Sequence, residues 1–280
     1  MDWTVPKFPL DTLSADALAW LTTNFSDLTR EISRFVRTWI GWGTDGLSAL
    51  HPLVIILAIS GLALWLAGRK VALLALLGLL FLWNLRLWGA TVETLVLVLL
   101  ATAAALAIGI PIGILCALSK RTWRGVGPIL DMMQTMPSFV YLIPAIPFFG
   151  LGAVSAVFAT IVFSMPPVIR LTALGILSVP KDLIEASDAF GTTTSQKLFK
   201  VQLPLALPTI MAGINQTIML SLSMVVIASM IGAGGLGREV WSSIQRLDAG
   251  RGFQAGIAIV IVAVILDRIT QAMAQRARPS

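Results

Sequence analysis

The sequence predicts an all-α integral membrane protein with about seven transmembrane helices. Hydrophobic residues make up 57% of the 280 residues and charged residues only 12%, whereas soluble domains contain about 25% charged residues. The mean hydropathy is +0.88. Several charge-free stretches are long enough to cross a bilayer, which takes about 20 apolar residues. A charged segment, 180–204, interrupts the apolar second half of the chain, so a soluble loop is expected between two spans.

The first 48 residues are predicted to form a tail outside the membrane core, on the periplasmic side. Between Ala15 and Trp42 apolar residues recur at helical spacing, and Arg30, Arg34 and Arg37 lie on the opposite face. This pattern is typical of an amphipathic helix. Two interpretations stay open: the helix lies on the membrane surface, or it packs on the protein's own spans.

The transmembrane helices are predicted from the charge-free runs. The stretch between Asp131 and Arg170 is too long for one crossing and is broken at 149–152, so it is expected to form two spans in a hairpin. We expect residues 49–90 to form two peripheral helices and residues 91–280 to form the functional core. The predicted spans are 51–68, 71–88, 94–119, two within 131–170, 205–232 and 253–273.

The distribution of lysine and arginine predicts the orientation. Alternate loops carry most of the basic residues, and basic loops face the cytoplasm. The N-terminus is therefore expected outside, and the C-terminus and the 180–204 loop inside. The basic residues assigned to the cytoplasmic side are Arg69, Lys70, Lys120, Arg121, Arg124, Lys181, Lys197, Lys200, Arg276 and Arg278.

The charged segment carries a recognisable motif, with Glu185-Ala186-Ser187 followed by Gly191 and then by 201–204, Val-Gln-Leu-Pro. It resembles the EAA loop (E-A-A-x3-G-x9-I-x-L-P) of permease subunits in binding-protein-dependent ABC importers, with Ser187 and Val201 as conservative departures. The resemblance implies a type I ABC importer (MetI-like) fold, in which this loop docks on a separate ATPase. An ordinary charged hairpin is the alternative. The coupling residues that the resemblance implies are Glu185, Ala186, Ser187, Phe190, Gly191, Leu203 and Pro204.

Four further strings, at 134–138, 164–170, 230–237 and 244–248, make the chain similar to permeases of glycine betaine/proline, choline and carnitine importers. This resemblance implies a multi-pass subunit of a bacterial inner membrane that imports a quaternary ammonium solute. It also implies two copies of an ATPase, a separate periplasmic binding protein and a second copy of this chain as a homodimer. A permease of the same fold for another small solute, such as an amino acid, is the alternative.

Polarizable and aromatic residues in the spans are candidates for the translocation path. A quaternary ammonium has no hydrogen to donate and favours aromatic and thioether walls, and polar groups within a membrane tend to face the bundle interior. For most of these residues, simple helix packing or lipid contact is the alternative. The candidates are Gln134, Met136, Phe139, Tyr141, Met165, Asn215, Met219 and Met224.

Other functions are disfavoured by what the sequence does not contain. It has no G-x-x-x-x-G-K-[ST] phosphate-binding loop, so ATP and Mg²⁺ are expected on the partner ATPase and no cofactor in this chain. One histidine, His51, and one cysteine, Cys116, give no catalytic or metal-binding pattern, and the basic loops set orientation rather than bind nucleic acid. A channel is a distant alternative, since no filter motif is present. The glycine run 232–237 is expected to be a flexible outer elbow.

Overall fold

The computed structural model describes residues 9–276, and within that range every regular element is helical. The first half of the bundle contains α1 (Leu10–Asn24), α2 (Ser26–Ala49), α3 (Pro52–Ala67), α4 (Arg69–Asn84), α5 (Trp88–Leu118), α6 (Lys120–Thr135) and α7 (Leu142–Phe149). The second half contains α8 (Ala153–Leu177), α9 (Lys181–Ala189), α10 (Thr194–Lys197), α11 (Leu203–Ser229), α12 (Leu236–Gln245) and α13 (Ala249–Arg276).

Fewer helices than the predicted seven are long and apolar enough to cross a membrane by length and composition. Among the described residues four helical segments meet this test by themselves: α5, α8, α13 and the continuous stretch Thr194–Ser229 that ends in α11. Two bent pairs, α2 with α3 and α6 with the Ser138–Phe149 segment that ends in α7, bring the number to six if each pair is one span. The first two predicted spans fall on α3 and α4. Each of these helices has 16 residues and extends about 24 Å, less than the hydrocarbon thickness of about 30 Å.

The predicted hairpin between Asp131 and Arg170 is only partly correct. The break at 149–152 is present, since Gly150 and Gly152 have positive φ angles of 76° and 118°. The first limb, however, is not one helix: α6 ends at Thr135, and the chain bends by 114° before continuing to Phe149. Pro137 stands in this bend, where it lacks the N–H that a continuing helix needs.

The centre of the bundle is formed by α5, α8 and α11, which pack along their lengths. Glycines permit this approach: a Cβ at Gly113 would lie 2.8 Å from the Ile169 carbonyl oxygen, and one at Gly213 would lie 3.2 Å from Val168 Cα. Small residues at such positions let two helix backbones approach closely within a membrane. The α3–α4 hairpin lies outside this centre and packs on α13 through Ala75, Leu79 and neighbouring residues.

The N-terminal segment forms two helices, broken at Phe25, instead of the single predicted stretch. Of the two interpretations of its amphipathic character, packing on the protein's own helices is seen for α2. Val36 and Ile40 pack against a cluster on α5 and α8, while Phe35 and Trp42 are 62% and 70% exposed. The helix thus rests on the bundle with one apolar face and presents a second, aromatic face outward.

Candidate coupling loop and translocation path

The predicted coupling loop forms two short helices, α9 and α10, joined by a tight turn. Pro180 stands immediately before α9, where its fixed φ suits a helix start. Gly191 ends the turn with a φ of +72°, and no other group lies within 4 Å of the position that its Cβ would take. Gly191 is therefore required for its left-handed backbone conformation and not for close packing.

Polar interactions between the two helices fix the shape of this loop. Lys197 Nζ lies 2.6 Å from Asp188 Oδ1, and the Thr192 hydroxyl donates to the Ser187 carbonyl over 2.8 Å. A capping box joins Thr193 and Gln196 at the start of α10, which satisfies two otherwise free backbone donors. The loop is therefore preorganised without any partner.

The loop presents a mixed acidic and apolar surface. Phe190 is 89% exposed, and the side chains of Glu185 and Ala186 are also exposed, whereas Ser187 is buried and donates to the Ile184 carbonyl. The phenyl ring of Phe190 therefore makes little contact with its own protein and is accessible to a partner.

The loop is anchored to the bundle at its C-terminal end. Residues 198–202 form a π-helical turn that leads directly into α11, an irregularity that is frequent at functional sites. Leu198 and Leu203 pack with Ile176 of α8 and Ala206 of α11, while Pro204 is exposed at the first turn of α11. The end of the loop is therefore packed directly against both α8 and α11.

Three candidates for the translocation path lie together. Tyr141 and Met224 are buried in one cluster with residues of α8 and α11, and Met136 packs against it. The Tyr141 ring meets Phe163 edge-on, with 5.7 Å between centroids, and its hydroxyl donates to the Met133 carbonyl. A neighbouring cavity has a volume of about 20 Å³, room for about one water. The cluster is closed in this conformation.

The other five candidates are spread over the bundle. Gln134 and Phe139 lie on the outer surface of the single chain, Phe139 being 56% exposed. Met165 packs near Cys116 and Leu130. Met219 and Asn215 lie on α11 but in separate surroundings, Met219 against the α4–α13 cluster and Asn215 beside Asp267.

The sequence did not predict two polar contacts between helices. Asn215 donates to Asp267 Oδ1 over 2.9 Å, and Gln271 donates to the same carboxylate, which joins α11 to α13. Arg170 of α8 pairs with Asp131 of α6. Charged residues inside apolar helices were the available signal, because such residues need a partner in a membrane.

The glycine run 232–237 also differs from the expected flexible elbow. The segment that joins α11 to α12, residues 230–237, is here called the α11–α12 elbow, and residues 233–237 of it are buried. Glu93 Oε2 accepts from the Gly235 N–H over 2.8 Å, and Thr94 Oγ1 accepts from the Leu236 N–H over 2.8 Å. Glu93 and Thr94 were not among the predicted site residues, since their partners are 142 positions away in sequence.

Together these features define a class of protein: a helical membrane subunit that offers a preorganised loop between its long helices to a partner. The model of the family described as "binding-protein-dependent transport system inner membrane component" matches residues 109–279. The chain belongs to this family, and it is a membrane transport subunit.

Similar proteins extend this finding beyond the family region. The glycine betaine transport system permease protein OpuAB of Bacillus subtilis is 49% identical over 267 residues, which cover 95% of each chain. The glycine betaine/proline betaine transport system permease protein ProW of Escherichia coli is 46% identical over 96% of this chain and 76% of its own. A solved structure of the MetNI methionine ABC transporter, in an inward-facing form, aligns with a TM-score of 0.59 and 26% identity, over 68% of this chain and 93% of that chain.

Proposed function

We propose that this chain is the permease subunit of an ATP-driven importer for a quaternary ammonium compatible solute. Glycine betaine is the first candidate, followed by choline, carnitine, proline betaine and proline. The observation that carries the proposal is a sequence identity of 49%, over nearly the whole chain, to a glycine betaine transport permease protein. The Tyr141, Met136 and Met224 cluster supports it, because these side chains suit a cation without hydrogen-bond donors.

Energy for import comes from a separate ATPase, which holds ATP and Mg²⁺. The preorganised loop with its exposed Phe190 supports docking of that ATPase on α9 and α10. In the proposed assembly two copies of this chain contact two ATPase subunits in the cytoplasm and one binding protein at the other face. The binding protein selects the solute, and the permease provides the path.

The proposal is tested by reconstituting the chain in liposomes with its partner ATPase and binding protein. Radiolabelled glycine betaine is expected to accumulate only when ATP and the binding protein are both present, and the chain without its ATPase is expected to hydrolyse no ATP. Methionine is the competing solute, because an amino acid is the alternative substrate and the MetNI methionine transporter aligns with this fold. Uptake of methionine without uptake of glycine betaine would contradict the proposal.

A further inference from the structure

The α11–α12 elbow is shaped around two side chains of α5. The carboxylate of Glu93 and the hydroxyl of Thr94 each accept one backbone N–H, from Gly235 and Leu236. These donors lie at the start of the ten-residue helix α12, whose first N–H groups have no partner inside the helix. Glu93 thus supplies a negative charge where the helix dipole favours one, through a charge-assisted hydrogen bond.

The glycines of the elbow leave room for these two groups. A Cβ at Gly234 would overlap the Glu93 carboxylate, and a Cβ at Gly235 would overlap the Thr94 hydroxyl. Gly235 also has a φ of +80°, which other residues rarely adopt. Glycine at positions 234 and 235 therefore leaves free the space that the Glu93 and Thr94 acceptors occupy.

The elbow forms part of the closed cluster described above. Ile231 and Ala233 are buried with Tyr141 and Met224, and Ala233 is only 1% exposed. Farther along the same two helices, Thr102 of α5 donates to Ser221 of α11 over 3.2 Å. Releasing the elbow from α5 would therefore loosen one wall of the cluster.

We propose that Glu93 is a positioning residue for transport, which acts with Thr94 to hold the α11–α12 elbow against α5 and so sets the outer wall of the path. The inference rests on the proposed function. Glu93 acts through the elbow residues Ile231 and Ala233, which form part of the cluster. Movement of the elbow away from α5 has to break both backbone hydrogen bonds.

The position of the elbow is tested by chemical labelling of the full chain. In a Cys116→Ala background, Ala233→Cys places a thiol at the buried position, and N-ethylmaleimide is the probe. Adding Glu93→Ala is expected to raise the labelling rate about tenfold or more, because a buried N–H loses a charged acceptor. Glu239→Gln, on the same helix α12, is the matched control and is expected to leave the rate unchanged. Equal labelling rates in the Glu93→Ala and control proteins would overturn the proposal.

Transport in the native background provides the second measurement. In the reconstituted complex, Glu93→Ala is expected to lower the amount of glycine betaine imported per ATP hydrolysed by about tenfold. Thr94→Val is expected to lower it less, and Thr94→Ser, which keeps the acceptor, to leave it unchanged. A purely structural role would reduce the yield of complex but not this ratio. An unchanged ratio in Glu93→Ala would contradict the proposal, whereas absence of uptake by the wild-type complex would contradict the proposed function instead.

Discussion

The two connections at the ends of α11 are built in opposite ways. The coupling loop, residues 180–204, is held by surface interactions such as the Lys197–Asp188 pair, and it exposes Phe190. The α11–α12 elbow is buried and held by backbone hydrogen bonds to Glu93 and Thr94. The 27 residues of α11 separate them by about 40 Å. One connection exposes a large apolar side chain, and the other is buried within its own bundle.

The same contrast applies to glycine. Gly191 in the coupling loop has free space around it and is needed for its positive φ, whereas Gly234 in the elbow faces the Glu93 carboxylate directly. A motif search identifies both as glycines in loops, but their physical reasons differ. An added Cβ meets no neighbour at Gly191, whereas at Gly234 it would overlap the Glu93 carboxylate, so that either the carboxylate or the elbow would have to shift.

The largest expected difference is that the two connections lie on opposite sides of the membrane. In a Cys116→Ala background, Cys at Ser195 in the coupling loop and Cys at Leu247 after α12 are both exposed. The positive-inside rule predicts that an impermeant maleimide labels Leu247→Cys in intact cells and labels Ser195→Cys only after lysis. Labelling of Ser195→Cys from outside would show that the assigned orientation is inverted.

Alanine substitutions at Gly191 and Gly234 test whether the coupling loop is open and the elbow tightly packed. Gly234→Ala is expected to destabilise the protein by about 1 to 3 kcal/mol, because overpacking forces the elbow to shift. Gly191→Ala is expected to cost only about 1 kcal/mol, the strain of a left-handed alanine. Thermal unfolding in detergent measures both. If Gly191→Ala proved the more destabilising of the two, the assignment of a tight elbow and an open loop would be wrong.

The ion pair within the coupling loop is expected to have the smallest effect. Asp188 is 51% exposed, and partly exposed pairs contribute less than about 1 kcal/mol. Lys197→Met and Asp188→Asn are each expected to change the unfolding temperature little, and their effects are expected not to add in the double variant. Full additivity would mean that the two side chains do not stabilise each other.

Features of the fold and of the candidate site were predictable where the residues that form them lie close together in the sequence. The coupling loop is a local feature. Pro180, Gly191 and Pro204 lie within one short stretch, and each lies at the start or the end of a helix, as the sequence predicts. The break at Gly150 and Gly152 is local for the same reason. The elbow was not predictable, because its acceptors lie 142 positions away and nothing near Glu93 indicates its partner.

The candidate path shows the same limit. Methionine and aromatic side chains in apolar helices have the same composition whether they face a path, a neighbouring helix or lipid. Only Met136, Tyr141 and Met224 were brought together, and helix rotation, which the composition of a span does not reveal, separated the rest. The apolar runs of α3 and α4 were predicted as spans of 18 residues, but each forms a helix of 16 residues, because an apolar run does not fix where its helix begins and ends.

The central claim is that the coupling loop is the contact surface for the ATPase, and binding of that ATPase tests it most directly. Phe190→Asp replaces an 89% exposed ring, so the protein should fold normally. Leu247→Asp, at a residue 92% exposed on the turn after α12, is the matched control. In a pull-down with the partner ATPase from detergent, Phe190→Asp is expected to weaken binding about tenfold or more, and Leu247→Asp to leave it unchanged. Wild-type binding by Phe190→Asp, with loss in Leu247→Asp, would contradict the account.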